Sequence, residues 1–202
     1  FTEDRIAIAD QLAAERGCTV VPSYDDPHII AGQGTLGIEI VEQAAARGAK
    51  LDTLVCCVGG GGLMAGTSTA VKALSPATEI WGVEPAGFDE TRRSLESGQR
   101  EMIDKDARSF CDALLTPIPG ELTWPINQKN LAGGVAVTDS EVAEAMRYAF
   151  SVLKLVVEPG GCVALAAALA GKVDLKGKTA AIVLSGGNVD PGLFASVLKG
   201  EI

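Results

Sequence analysis

The sequence has little of the residue types on which several common functional sites depend. Its 202 residues include one histidine, His28, and five cysteines, and no two cysteines have the spacing Cys-x-x-Cys. A histidine-rich metal site is therefore excluded, and an odd number of cysteines does not suit a disulfide framework. We interpret the cysteines as reduced thiols, which predicts a cytoplasmic protein.

Basic charge and long apolar runs are scarce as well. Asp and Glu outnumber Lys and Arg by 26 to 17, which gives a net charge of −9. An acidic surface repels a phosphate backbone, so we expect no nucleic-acid partner. Because no apolar run approaches the roughly 20 residues that span a bilayer, we expect no membrane partner either.

What the sequence does contain is an apolar composition arranged in alternating segments. Hydrophobic residues make up 47% of the chain, enough for one good-sized core. Buried strands are predicted at residues 18–22, 54–58, 79–83 and 179–184. Helices are predicted at residues 34–47, 63–74 and 139–153, the last beginning with a capping box at residues 138–141. The alternation predicts an α/β fold with a mainly parallel sheet and helices on both faces.

Four consecutive glycines, Gly59, Gly60, Gly61 and Gly62, lie between a predicted strand and a predicted helix. They allow a tight turn that points backbone N–H groups at one spot, beside the positive end of the following helix. This arrangement predicts an anion site, in particular one for a phosphate group. The spacing Gly60-x-Gly62-x-x-Ala65, with Glu84 24 residues beyond Gly60, also fits a dinucleotide fingerprint, so a nicotinamide-dependent oxidoreductase is an alternative at this point.

A second glycine-containing turn, residues 185–190 with the sequence Ser-Gly-Gly-Asn-Val-Asp, follows the last predicted strand. Two such turns at strand ends suggest one ligand held from two sides. Six motifs occur in the order typical of one enzyme family: Tyr24-Asp25-Asp26-Pro27, Ala31-Gly32-Gln33-Gly34-Thr35, residues 59–66, Val83-Glu84-Pro85, Glu158-Pro159-Gly160-Gly161 and residues 185–190. With them the chain resembles the fold type II pyridoxal-phosphate enzymes, in the branch of threonine and serine dehydratases, serine racemase and 3-hydroxyaspartate dehydratase.

The resemblance implies a fold like that of the tryptophan synthase β subunit. Residues 1–25 would be the end of a small domain and residues 26–202 a large cofactor-binding domain. The implied activity is that of an ammonia-lyase, which converts threonine, serine or 3-hydroxyaspartate to a 2-oxo acid and ammonia. An amino-acid racemase with the same site is the alternative, and a homo-oligomer is expected because relatives are commonly dimers or tetramers.

The resemblance also assigns cofactor-binding roles to individual residues. Backbone N–H groups of Gly59, Gly60, Gly61, Gly62 and Leu63 would hold the phosphate of pyridoxal 5′-phosphate, and Ser185 would hydrogen-bond the pyridine nitrogen. A serine hydroxyl is too weak an acid to protonate the ring, and the weaker electron sink that results suits expulsion of a β-hydroxyl. The chain has no match to the family's Ser-x-Lys motif, whose lysine binds the cofactor covalently. We therefore assign no catalytic residue here and expect that lysine upstream.

The resemblance to the branch that contains serine racemase also implies a site for a divalent cation. The resemblance places its ligands at the carboxylates of Glu84 and Glu90 and the backbone carbonyl of Phe88. Hard oxygen ligands of this kind suit Mg²⁺ or Ca²⁺. A solvated acidic turn is the alternative interpretation of the same residues.

Overall fold

A four-stranded parallel sheet forms the centre of the molecule in a computed structural model that describes residues 5–202. Its strands are β1 (Thr53–Cys57), β2 (Glu79–Pro85), β3 (Gly133–Val137) and β4 (Ala180–Ile182), in the spatial order β3-β2-β1-β4. All three pairings are parallel, and Val55 of β1 pairs with both Trp81 of β2 and Ile182 of β4. Strand β1 is buried along its whole length, because strands flank it on both sides and α3 and α7 pack against it.

The described residues also form eight α-helices: α1 (Arg5–Arg16), α2 (Pro27–Ala46), α3 (Gly62–Leu74), α4 (Glu90–Ser97), α5 (Thr123–Asn130), α6 (Asp139–Tyr148), α7 (Pro159–Leu169) and α8 (Pro191–Lys199). The crossover through α3 leads from β1 to β2, and the crossover through α6 and α7 returns across the sheet to β4. Because such crossovers are right-handed, these helices cover opposite faces. This confirms the predicted α/β fold. None of the described helices has the length and apolarity needed to cross a bilayer.

Several element boundaries differ from the sequence-based prediction for local reasons. Residues 18–22 form no strand, although their β-branched content predicted one. Helix α2 begins at Pro27 instead of residue 34, because Asp26 caps it by accepting hydrogen bonds from the N–H groups of His28 (2.8 Å) and Ile29 (3.1 Å). Strand β3 was not predicted, since its two glycines weaken the strand pattern.

The helix predicted at 139–153 changes character part-way along. Its capping box is confirmed, with Thr138 and Glu141 bonded reciprocally. The α-helix ends at Tyr148, and one π-helical turn continues from Ala149 to Leu153. Lys154 then ends the segment in the left-handed conformation, with a φ of 62°.

Candidate functional site

The two glycine-containing turns lie side by side at the carboxyl edge of the sheet. They follow β1 and β4, which are neighbouring strands, and neighbouring strands are about 4.8 Å apart. A side-chain contact links the end of β1 to the serine turn, because the Cys57 Sγ lies 3.4 Å from the Ser185 Oγ. The structure therefore brings together the two groups of residues that the sequence assigned to one ligand.

The glycine turn has the conformation that its sequence requires. Gly59 and Gly61 both have left-handed backbones, with φ values of 56° and 91°, which residues with a Cβ rarely adopt. The Gly61 N–H donates to the Val58 carbonyl at 3.2 Å and closes the turn. Gly61 is also the N-cap of α3 and supplies no side-chain capping bond. The N–H groups of Gly62 and Leu63 therefore stand at an uncapped helix start, a donor set that fits a phosphate dianion.

Two side chains of α5 fix the peptide planes of this turn. The Thr123 hydroxyl donates to the Gly60 carbonyl at 2.7 Å, and the Asn127 amide donates to the Gly61 carbonyl at 3.2 Å. Both side chains are buried. Sequence reasoning missed this role, because Thr123 lies 63 residues beyond Gly60 and no local pattern links the two.

The serine turn is held mainly by Glu158. Its backbone N–H donates to the Gly186 carbonyl at 2.9 Å, and its carboxylate accepts from the Asn188 N–H at 2.9 Å. A Cβ at Gly161 would lie 2.8 Å from the Gly186 nitrogen, so a glycine is needed where α7 passes the turn. The motif Glu158-Pro159-Gly160-Gly161 thus supports the serine turn. Ser185 itself is exposed at the edge of the sheet.

Two buried carboxylates lie at the carboxyl end of β2, where Glu84 is the next-to-last residue of the strand and Glu90 is the first residue of α4. Glu84 accepts hydrogen bonds from the N–H groups of Thr91 (3.2 Å) and Arg92 (3.0 Å), while neither carboxylate oxygen of Glu90 has a partner among the described residues. Burial raises the pKa of Glu84 to about 7. Burial and the neighbouring charge of Glu84 raise the pKa of Glu90 to about 9.

The sequence offered two roles for Glu84, as the acid of a dinucleotide fingerprint and as a ligand of a divalent cation. The residue is 1% exposed and caps α4, so it is not available to bind a ribose, and the dinucleotide fingerprint was a wrong interpretation. Phe88 is buried, and Asp89 forms ion pairs with Arg92 and Arg93. No cluster of three or more His, Cys, Asp or Glu side chains able to hold a metal occurs in the described part of the chain.

Comparisons with known proteins show which family the chain is similar to. The family model for pyridoxal-phosphate dependent enzymes matches residues 2–186. An L-threo-3-hydroxyaspartate ammonia-lyase from a Pseudomonas species is 41% identical over 200 residues, which cover 99% of this chain and 61% of that protein. A serine racemase from Schizosaccharomyces pombe is 35% identical over 199 residues, which cover 98% of this chain and 60% of that protein.

A solved structure extends the similarity to three dimensions. The crystal structure of the T.th. threonine deaminase superposes with a TM-score of 0.85 at 41% identity, covering 93% of this chain and 63% of that one. The chain thus spans about three fifths of the length of the relatives it matches. On the strength of the family match and these similarities, the chain belongs to the family of pyridoxal-phosphate dependent enzymes.

Proposed function

We propose that the chain forms much of the cofactor site of a pyridoxal-phosphate dependent ammonia-lyase. The substrate would be a small β-hydroxy amino acid (threonine, serine or 3-hydroxyaspartate), and the products a 2-oxo acid and ammonia. The observation that carries this proposal is the contact between the residue at the end of β1, Cys57, and Ser185 in the serine turn. The names of the Pseudomonas ammonia-lyase and the T.th. threonine deaminase support the reaction class.

The glycine turn would bind the cofactor through its phosphate. The backbone N–H groups of Gly59, Gly60, Gly61, Gly62 and Leu63 are the proposed donors. Gly62 and Leu63 are the best placed, because they begin α3 and the helix dipole adds to their attraction for a dianion. The Gly61 N–H also donates to the Val58 carbonyl, so it would share its hydrogen between that carbonyl and the phosphate, and Gly61 contributes chiefly by shaping the turn. Backbone donors hold their positions without a flexible side chain, so the phosphate would be a rigid anchor.

Ser185 would determine what the bound cofactor does. When bound, pyridoxal 5′-phosphate supplies an electron sink for negative charge at the substrate Cα. Ser185 offers the pyridine nitrogen a hydroxyl, a hydrogen-bond donor too weakly acidic to transfer its proton. The electron sink would therefore be of moderate strength. This favours loss of the β-hydroxyl at nearly the same time as removal of the Cα proton.

A racemase is the second candidate, favoured by the 35% identity to the Schizosaccharomyces pombe serine racemase. The intact protein, supplied with pyridoxal 5′-phosphate, should be incubated with L-serine, L-threonine and L-threo-3-hydroxyaspartate. Equal amounts of 2-oxo acid and ammonia are expected from at least one of them. Accumulation of the D-enantiomer without 2-oxo acid would establish the racemase instead, and no reaction with any of the three would refute both candidates.

We also propose a divalent cation, Mg²⁺ or Ca²⁺, held by the carboxylates of Glu84 and Glu90 and the carbonyl of Phe88. The fully buried carboxyl of Glu90 supports this site, because neither of its oxygens has a hydrogen-bond partner among the described residues and a bound cation would supply one. Mg²⁺ or Ca²⁺ should raise the thermal midpoint of the wild type and of the control Glu96→Gln, whose side chain is exposed on the same helix. The same rise in Glu90→Gln would refute the site.

Three further features of the whole protein are proposals. Residues 1–25 would belong to a small domain, which agrees with the exposure of α1 along almost all its described side chains. A homo-oligomer would explain exposed apolar residues such as Phe150, Val152 and Val156; a native mass equal to one chain at all concentrations would refute it. All five cysteines are free, which supports a cytoplasmic location.

A further inference from the structure

The Asp25 carboxylate caps a helix that lies about a hundred residues further along the chain. It accepts hydrogen bonds from the backbone N–H groups of Glu121 (2.9 Å), Leu122 (2.9 Å) and Thr123 (3.2 Å). These groups are at the start of α5, whose N-cap residue Leu122 provides no side-chain capping bond. Asp25 therefore satisfies the N–H groups that this helix start would otherwise leave unpaired, and it places a negative charge at the positive end of the helix.

The same helix holds the glycine turn. Thr123 and Asn127 are one turn apart on α5, and they donate to the carbonyls of Gly60 and Gly61. A peptide unit is planar, with its C=O and N–H pointing in opposite directions. Fixing the Gly61 carbonyl therefore also fixes the direction of the Gly62 N–H, one of the two best-placed phosphate donors.

Tyr24 and Asp25 form a segment that packs tightly against the glycine turn and the start of α5. A Cβ at Gly60 would lie 2.4 Å from the ring of Tyr24, and a Cβ at Gly62 would lie 2.9 Å from the Tyr24 carbonyl oxygen. A Cβ at Gly120 would lie 2.3 Å from the Asp25 carboxylate. Glycines at these positions are what allow the segment, the start of α5 and the turn to pack together.

We propose that Asp25 is a positioning residue for phosphate binding. It holds α5 in place, and α5 holds the glycine turn in the conformation that presents its N–H groups to the phosphate. This inference rests on the proposed function in one respect, that the anion bound by the turn is the cofactor phosphate. It adds a residue that contacts neither cofactor nor substrate.

The test compares two ligands on the intact protein. The probes are 4′-deoxypyridoxine 5′-phosphate, which lacks the aldehyde and needs no lysine, and 4′-deoxypyridoxine, which lacks the phosphate as well. The Kd of 4′-deoxypyridoxine divided by the Kd of its 5′-phosphate measures how much the phosphate contributes to binding. Asp25→Ala should reduce this ratio about tenfold, since it removes three hydrogen bonds to a charged acceptor. Asp26→Ala is the matched control: it removes the cap of α2 and should leave the ratio within about twofold.

Two more variants keep the test decisive if Asp25→Ala folds poorly. Asp25→Asn retains one acceptor oxygen and should give an intermediate ratio. Thr123→Val preserves the shape of the side chain but removes the bond to Gly60, and it should lower the ratio as well. Wild-type ratios in Asp25→Asn and Thr123→Val would overturn the proposal while leaving the proposed function intact. A wild-type protein that does not prefer the phosphorylated probe would refute the proposed function and this inference together.

Discussion

Substituting Gly66 by alanine should destabilise the protein, although alanine is the better helix former. Gly66 lies in α3 where that helix crosses α2, and an added Cβ would be 2.1 Å from the carbonyl oxygen of Ile30 and 2.7 Å from the nitrogen of Gly34. Both are backbone atoms of α2 and cannot move aside alone. The two helices would have to separate by roughly 1 Å, an overpacking that costs about 3 kcal/mol.

The net effect follows from setting this cost against helix propensity. Alanine gains about 1 kcal/mol over glycine inside a helix, so Gly66→Ala should lose about 2 kcal/mol of unfolding free energy. Gly32→Ala is the control: this glycine lies in α2, is exposed, and has no atom within 4 Å of its added Cβ. It should gain up to about 1 kcal/mol.

Urea denaturation of the intact protein, followed by far-ultraviolet circular dichroism, measures both changes. Helix α3 begins at Gly62, one of the proposed phosphate donors. Because Gly66→Ala shifts this helix, the variant should also bind 4′-deoxypyridoxine 5′-phosphate more weakly than the wild type. Gly32→Ala should bind it like the wild type. This prediction would be refuted if the free energy of unfolding changed in the same direction in both variants, or if Gly66→Ala were as stable as the wild type. Either result would show that the close contact between α2 and α3 does not require a glycine at position 66.

Three other predictions concern the serine turn and the cysteines. Ser185→Ala should weaken binding of the same analogue about fivefold and Cys57→Ala about threefold, measured by fluorescence titration; an unchanged Kd in both variants would contradict a shared site. Ser185→Asp should shift the products of the active enzyme from 2-oxo acid towards racemised amino acid, and an unchanged product ratio would count against the role of Ser185. Burial raises the pKa of Cys111 and of Cys162 to about 12, so iodoacetamide at about pH 8 should modify the exposed Cys18 and spare these two until the protein is unfolded, as mass spectrometry would show.

Local patterns were sufficient to predict the centre of the fold and the position of both turns. Runs of apolar residues identified three of the four strands, and the glycines of residues 59–62 identified the strand-to-helix junction, because each of these signals depends on neighbours in sequence. Strand β3 was not predicted, because Gly133 and Gly134 make a weak strand pattern. Its place in the sheet depends on its pairing with β2, which is not a local signal.

The supports of the site could not be predicted for a different reason. Asp25, Thr123 and Asn127 act across long stretches of chain, and no local pattern links a carboxylate near residue 25 to a helix near residue 123. Cys57 presents the same difficulty, since its contact with Ser185 arises from the pairing of β1 with β4. In each case the residue type is compatible with many roles, and the topology selects one.

The most direct test of the account is a crystal structure of the intact protein with pyridoxal 5′-phosphate. We expect phosphate oxygens about 2.7–3.2 Å from the N–H nitrogens of Gly62 and Leu63 and, in the same molecule of cofactor, the ring nitrogen within about 3.2 Å of the Ser185 Oγ. A phosphate bound away from residues 59–63, or a ring nitrogen that faces a group other than Ser185, would contradict the claim that the two turns bind one cofactor.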